Sequence, residues 1–417
     1  MQTMARPVAH GRPTGECRIG AWSCGRSGSS PSRLEGCAIK SDRPGPTQGS
    51  IRIPMNIGLF LPNWVGDACM ATPAVRAIRQ GLDARYRLIG IGRYAAREVF
   101  RGLPWLDEFL VYQPRSSEGI GNRRSLIRSM RQRPWEALVL FTNSLTTALL
   151  ACASGAPKRI GYNRDARGWL LTQRLEAPRD CGAFSPIPAI DYYMKLAASL
   201  GCPSTDRSME IVVGDEERDQ AELLWTKLGW DSRCMTIAIH SGGARGVARN
   251  WPAGSIVSLA RKLQARYDCQ ILLHCGPGER QSTLAIEAMI DHPRIRSMGL
   301  MSDLPLGLSK AAIAKAKLLI SSDSGPRHLG IALGLPVVSL FGPTTPEWTT
   351  TYNLPETILQ VPLDCRPCFA SQCPLQHHAC MEGISVESVF QASCARIDST
   401  SLWTLPTPQD LRVPEAA

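Results

Sequence analysis

The feature that most limits what this chain can become is an alternation of short apolar runs with longer segments of helical period. Asn56–Leu61, Arg87–Ile91, Glu108–Tyr112, Ala137–Phe141 and Arg159–Tyr162 read as buried strands separated by helix-length stretches. In Asp67–Gln80, Ala71, Val75 and Ile78 fall on one stripe, while Arg76 and Arg79 point elsewhere. Between 201 and 233 the apolar order loosens, and Asp215, Glu216, Glu217, Asp219 and Glu222 form an acidic stretch expected to be exposed. The alternation then restarts. Strands are expected at Met235–Ile239, Gln270–His274, Lys317–Ser321 and Pro336–Leu340, and helices at Ala253–Tyr267, Glu279–Ile290, Leu306–Ala316 and Gly325–Leu333. Strands alternating with helices imply an α/β fold whose parallel sheets are covered on both faces. Two such halves, 55–230 and 231–400, would face each other across a cleft, with ligands at the carboxyl ends of the strands.

Composition narrows the class further. With 417 residues and 44% apolar content, the chain is long enough for two or three domains, each with its own core. No uninterrupted apolar stretch reaches the length of a membrane span. A net charge of +11 favours anionic partners without choosing among nucleic acid, nucleotides, acidic glycolipids and an acidic membrane face. Of the 15 cysteines, Cys69, Cys152, Cys269 and Cys275 sit in apolar patterns, as small core residues do in a reducing cytosol. Residues 1–54 carry no apolar period, and Gly, Pro and Ser fill 21 of the positions. This segment reads as a disordered or mis-assigned extension, with Met55 as the start of the fold, and 401–417 reads as a tail.

The strand ends carry the chemistry. Asn63-Trp64-Val65-Gly66-Asp67 puts one carboxylate between a strand and a helix, with Pro73 in the helix's second turn. Asp67 would be a general base facing the cleft, or a plain N-cap, and Gly66 allows a tight turn and a close ligand. Ser321-Ser322-Asp323-Ser324-Gly325-Pro326-Arg327-His328 opens a helix whose N–H groups, with Ser324 and Gly325, suit a phosphate; His328 lies one turn in. His240-Ser241-Gly242-Gly243 leads to Arg249, a candidate for bidentate phosphate binding, and Glu279 after His274-Cys275-Gly276-Pro277-Gly278 could accept ribose hydroxyls. Gly90-Ile91-Gly92-Arg93-Tyr94-Ala95 matches a dinucleotide pattern but sits on the second strand with no acid ending the next one, and reads as coincidence. The sequence has neither a phosphate-binding G-x-x-x-x-G-K-[ST] loop nor a D-x-D pair for a divalent ion. Arg123, Arg124, Arg128, Arg131 and Arg133 form a solvated face or a contact for an anionic lipid or acceptor. Cys365, Cys368, Cys373 and Cys380, four thiols within sixteen residues, leave zinc, disulfides and a tolerated cluster all open.

These residues resemble a known family. Leu61 to Pro73 is similar to the opening of family 9 glycosyltransferases of the lipopolysaccharide heptosyltransferase kind. Asp323 to His328, followed by Phe341-Gly342-Pro343-Thr344, is similar to that family's nucleotide-sugar motif, and the cluster Cys365–Cys380 resembles a subset of its members. The likeness runs from Met55 to about Phe390. It implies a GT-B architecture of two Rossmann-like domains, the first binding acceptor and the second nucleotide sugar. It also implies an inverting, metal-independent transfer from ADP-L-glycero-β-D-manno-heptose to the heptosyl-Kdo inner core, with no cofactor.

Carried over by motif, Asp67 would be the base on the acceptor hydroxyl. Arg249 stands where the family usually has a diphosphate-binding lysine, which keeps the charge and changes the geometry. Glu279 would meet the ribose, Asp323 the heptose, and Ser324, Gly325 and His328 the diphosphate. The implied partners are a nucleotide-sugar donor and a lipid-linked core oligosaccharide, with no nucleic acid. The implied location is the cytoplasm, with peripheral contact at the inner face of an anionic inner membrane. Two other classes stay open: a transferase or epimerase of the same fold acting on another nucleotide sugar, and a non-catalytic nucleotide-sugar-binding protein.

Overall fold

A computed structural model describes residues 55–113, 122–180, 183–184, 187–240, 242–243, 246–352 and 355–399. The extension 1–54, the tail 401–417 and Ser241 of the small-residue turn lie outside the described residues.

The first half runs β1 (Met55–Phe60), α1 (Val65–Gly81), β2 (Tyr86–Gly92), α2 (Tyr94–Phe100), β3 (Glu108–Val111), α3 (Arg123–Arg131), β4 (Trp135–Leu140), α4 (Leu145–Ala153), β5 (Lys158–Tyr162) and β6 (Gln173–Leu175). A short antiparallel hairpin, β7 (Arg179–Asp180) with β8 (Ala183–Phe184), precedes α5 (Ala189–Ser199) and α6 (Asp215–Leu228). The second half runs β9 (Thr236–His240), α7 (Ala253–Tyr267), β10 (Gln270–Leu273), α8 (Arg280–Ile290), β11 (Ile295–Ser297), α9 (Leu306–Ala314), β12 (Leu318–Ser322), α10 (Gly325–Ala332), β13 (Val337–Phe341), β14 (Glu356–Gln360), α11 (Ala379–Glu382) and α12 (Val386–Ser399).

Each half closes a six-stranded sheet that is parallel throughout, in the orders β3-β2-β1-β4-β5-β6 and β11-β10-β9-β12-β13-β14. In this doubly wound order the chain leaves the central strand in opposite directions, which opens a crevice beyond the strand ends. The switch points fall between β1 and β4 and between β9 and β12. Central strands are buried on both sides, as the apolar runs require.

α1 starts two residues earlier than its pattern suggests. Trp64 is the N-cap, its carbonyl accepting the Ala68 N–H at 2.9 Å, so Asp67 lies in the first helical turn and is not the cap. Pro73 is correspondingly deep in the helix interior, past the second turn. Proline cannot donate to the Cys69 carbonyl, and the Thr72 hydroxyl does so instead at 2.8 Å. The same hydroxyl accepts the Glu210 N–H at 3.1 Å.

The acidic stretch is only partly exposed. In α6, Leu224, Trp225 and Leu228 pack with Leu308 and Ala312 of α9, so this helix, which precedes residue 230, is built into the second half. Glu217 is turned inward and buried, paired with Lys310 at 2.9 Å. Lys310 is itself fully buried and also donates to the carbonyls of Glu98 and Val212, both at 3.0 Å. One ammonium thus ties α9 to α2 and to the strap between the halves. α1 completes the junction by packing on α5 and α10 within one continuous apolar cluster. Cys69, Cys269 and Cys275 are buried as expected, and burial pushes the Cys69 and Cys269 thiols up to about 12. Cys152 is exposed, because its helix turns that face away from the sheet.

Candidate functional site

The two switch points face each other. A methyl group on Gly66 would stand 2.6 Å from His328 Cδ2, and one on Gly325 would stand 3.3 Å from Val65 Cβ. The turn that opens α1 therefore lies directly against the turn that opens α10. Asp67 follows Gly66, half-buried on the first wall.

On the second wall the strand ends are laced together. Ser322 Oγ donates to the Gly242 carbonyl at 2.7 Å, joining β12 to β9. Ser324 is the N-cap of α10, with its hydroxyl turned back to the Ser322 carbonyl at 3.1 Å. A methyl on Gly243 would lie 3.7 Å from Arg249 Cδ and 3.8 Å from Ser324 Cβ, while one on Gly242 would press on Glu279 Cγ at 2.8 Å. Arg249, Ser324 and Glu279 thus surround a floor of two glycines. Arg249 sits on a 3-10 turn held by the Ala248 N–H bond to the Ser371 carbonyl, and Gly246 enters that turn at φ 120°, where a side chain would strike Ser371.

Charge is arranged around Asp323. Arg249 Nη1 donates to its carbonyl at 2.7 Å and lies 3.4 Å from Oδ2; Arg327 Nη1 lies 3.6 Å from Oδ1. Asp323 is almost wholly buried between these guanidiniums, a brace that fixes where Arg249 points. Arg327, fully buried, is in turn held by Glu356 at 2.6 Å. Burial raises the Glu356 carboxyl, but Arg327, Ser339 and Thr351 outweigh it and hold the group below its ordinary value. Glu279 uses Oε2 to accept the Gly276 N–H at 2.8 Å, and caps the turn into α8 instead of belonging to that helix.

Beneath the Gly242 floor lies a pair of histidines to which the sequence reading gave no role. His240 and His274 end β9 and follow β10, both buried, with their Nδ1 atoms 3.2 Å apart and His274 Nε2 on Ser309 Oγ at 2.7 Å. Burial holds both imidazoles below their ordinary value. Arg327, inside the Ser321–His328 motif, likewise carries no role on sequence grounds. The signal in each case was a polar residue in the last position of an apolar strand or the first turn of a helix.

The cysteine cluster belongs to the segment that packs on the Arg249 turn and on the end of β13: Ser371, between Cys368 and Cys373, accepts the Ala248 N–H, and Cys380 lies against Gly342. Burial raises the Cys380 thiol, with further upward contributions from Cys368, Cys365 and Cys373, so the four are neighbours. Cys373 is lowered by backbone N–H groups from His378, Leu375, His377 and Gln376. Among the described residues these cysteines are unbridged, and no group of three or more His, Cys, Asp or Glu is set to hold a metal ion.

Residues 123–379, from α3 of the first half through the whole second sheet, match the model of glycosyltransferase family 9 (heptosyltransferase). The chain belongs to this family. It is a glycosyltransferase of GT-B architecture. Curated relatives include lipopolysaccharide heptosyltransferase 2 of Escherichia coli, 24% identical over 71% of this chain and 85% of that protein. Another is lipooligosaccharide heptosyltransferase 2 of a Campylobacter jejuni strain, 27% identical over 81% of this chain and 97% of that protein. Among solved structures, E. coli ADP-heptose lps heptosyltransferase II superposes with a TM-score of 0.68 at 21% identity, covering 83% of this chain and 99% of that one. A family 9 glycosyltransferase from Veillonella parvula gives 0.69 at 22%, covering 83% and 98%.

Proposed function

We propose that this enzyme transfers L-glycero-D-manno-heptose from ADP-heptose to the heptosyl-Kdo inner core of lipopolysaccharide, with inversion and without a metal ion or cofactor. The observation that carries the reading is the contact of the Val65–Asp67 turn with the Gly325–His328 turn, which brings the Asp67 carboxylate to the wall where the opening of α10 would hold a phosphate. The names of the relatives support ADP-heptose as donor and lipopolysaccharide as the acceptor class, and the heptosyl-Kdo acceptor is what the motif resemblance implies.

Displacement at an anomeric carbon needs a base on one face and a stabilised leaving group on the other. Asp67 would take the proton of the acceptor hydroxyl as its oxygen bonds to that carbon. The bond to the diphosphate oxygen breaks in the same event, and its electron pair leaves with ADP. The charge that develops there meets Arg249, the N–H groups that open α10, and Ser324, a preorganised set of donors. His328 would add to this set, and Glu279 would hold the ribose. Asp323, flanked by two arginines, would orient Arg249 and also reach the sugar.

The acceptor is lipid-linked in this reading, so the reaction belongs at the cytoplasmic face of the inner membrane, with the enzyme bound peripherally. Among the described residues no helix is long and apolar enough to cross a membrane. The decisive experiment incubates the protein with ADP-heptose and a truncated core acceptor, and looks for a mass gain of one heptose in the presence of a chelator. Asp67→Asn should lose on the order of 10²–10⁴ in turnover while keeping donor affinity. Full turnover by that variant would remove Asp67 from the mechanism, and chelator-sensitive turnover would overturn metal independence.

A further inference from the structure

The outer layer of the first sheet carries a surface that the transfer chemistry does not use. α3 turns Leu126 and Met130 inward and presents Arg123, Arg124, Arg128 and Arg131 to solvent. Among the described residues, the acids closest to it in sequence are taken elsewhere: Glu108 pairs with Arg133 and Glu136 with Lys158. Arg123 donates to the Tyr112 hydroxyl and Arg131 to the Ala153 carbonyl, neutral partners, and among the described residues neither has an acidic one.

Beside this basic helix lies an apolar one. α4, LTTALLACA, has no charged residue, and Leu145, Leu149 and Cys152 recur on its outward face at helical spacing. Leu145 is 42% exposed and Leu149 46%, while Ala148, Leu150 and Ala151 face the sheet. α4 packs on α3 on one side and on the 3-10 turn Gly168–Leu170 on the other, where Trp169 is 68% exposed. The N-terminus of α4 follows β4 and Trp169 follows β5, so this surface reaches the same rim of the sheet as Asp67.

From this juxtaposition we infer that α3, α4 and the Trp169 turn form the face by which the enzyme docks on an anionic bilayer. An uncharged stripe of exposed Leu edged by Trp and flanked by exposed Arg is the chemistry of an interfacial contact: the apolar groups enter the headgroup boundary and the guanidiniums meet lipid phosphates. A second copy of the chain fits less well, because a two-fold contact would bring the arginine rows of both α3 helices together. The inference rests on the reading of a lipid-linked acceptor for its purpose, since docking here would hold the acceptor wall at the membrane.

The test is sedimentation of the full chain with vesicles of phosphatidylcholine alone or of equimolar phosphatidylcholine and phosphatidylglycerol. The protein should sediment with the mixed vesicles only, and salt should release it. Arg124→Gln/Arg128→Gln should weaken that binding roughly 30-fold, and Leu149→Gln/Trp169→Gln should weaken it independently, with thermal unfolding of both variants unchanged. Both should also turn over a water-soluble truncated acceptor at the wild-type rate. Equal binding to both vesicle types, or variants that bind like wild type, would overturn the assignment. So would a concentration-dependent dimer that Leu149→Gln/Trp169→Gln abolishes. If wild type fails on the soluble acceptor but still selects anionic vesicles, the transferase reading falls and the docking face stands.

Discussion

Gly66→Ala is the most direct probe of how the two walls meet. The added methyl would lie 2.6 Å from His328 Cδ2, 3.1 Å from Nε2 and 3.3 Å from Cγ. Carbon atoms in ordinary contact stand about 3.5–4.0 Å apart, so the overlap is about 1 Å. His328 is only 4% exposed and its ring lies beside Arg327, so it has little room to swing away. The strain must then be relieved by separating the α1 turn from the α10 turn. Overpacking of this size costs roughly 1–3 kcal/mol, and a misplacement of ~1 Å between reacting groups lowers rates by about 100-fold. We expect kcat/KM to drop by about that factor and Tm to fall by several degrees, with donor affinity less affected than turnover. Gly254→Ala is the control: a methyl there meets nothing within 4 Å inside α7, and the change should be neutral or stabilise by up to about 1 kcal/mol. If Gly66→Ala turns over and melts like wild type, the walls are not in contact in the working enzyme and the argument for a shared site fails.

Other expectations follow from the charges. Lys310→Met should destabilise by about 3–5 kcal/mol in denaturant unfolding, because Glu217 is left buried and uncompensated; adding Glu217→Gln should restore much of the loss, and no recovery would mean the pair is not coupled. Arg249→Ala should cost on the order of 10²–10³ in kcat, with Arg249→Lys recovering part of it; an unimpaired alanine variant would place the leaving-group charge elsewhere. The buried histidines make stability depend on pH. Because folding lowers their pKa, the unfolded chain binds the extra protons, so stability is complete above the ordinary imidazole range and is lost as pH falls below about 6.5. Each contributes a slope of up to about 1.4 kcal/mol per pH unit. Tm measured from pH 7.5 to 5 should fall less steeply in His240→Asn/His274→Asn than in wild type, and parallel curves would refute this origin.

The alternation written from Met55 onward was enough to determine two parallel α/β halves, since strand and helix periods are local properties of the chain. α7 spans the residues its pattern predicted, and most central strands start or stop within a residue or two of theirs. The edge strands β6 and β14 escaped because they are short and partly exposed, so no continuous apolar run marks them. The small residues and polar groups at the strand ends were equally legible, and they are the ones that converge at Gly242, Gly243 and Ser324.

What the linear order could not decide is which polar group would face inward. Glu217 reads as one acid in a solvated run, yet it is buried because Lys310, 93 positions further along, meets it as an ion pair while donating to two carbonyls. Cys152 reads as core and is exposed, because α4 keeps one face against the sheet and leaves the other to solvent. Asp323 became a brace only when Arg249 and Arg327 closed on it. Period and turn chemistry are set by neighbours in the chain, whereas burial, pairing and the meeting of Gly66 with His328 depend on groups far apart in sequence that only the packed fold brings within a few ångströms.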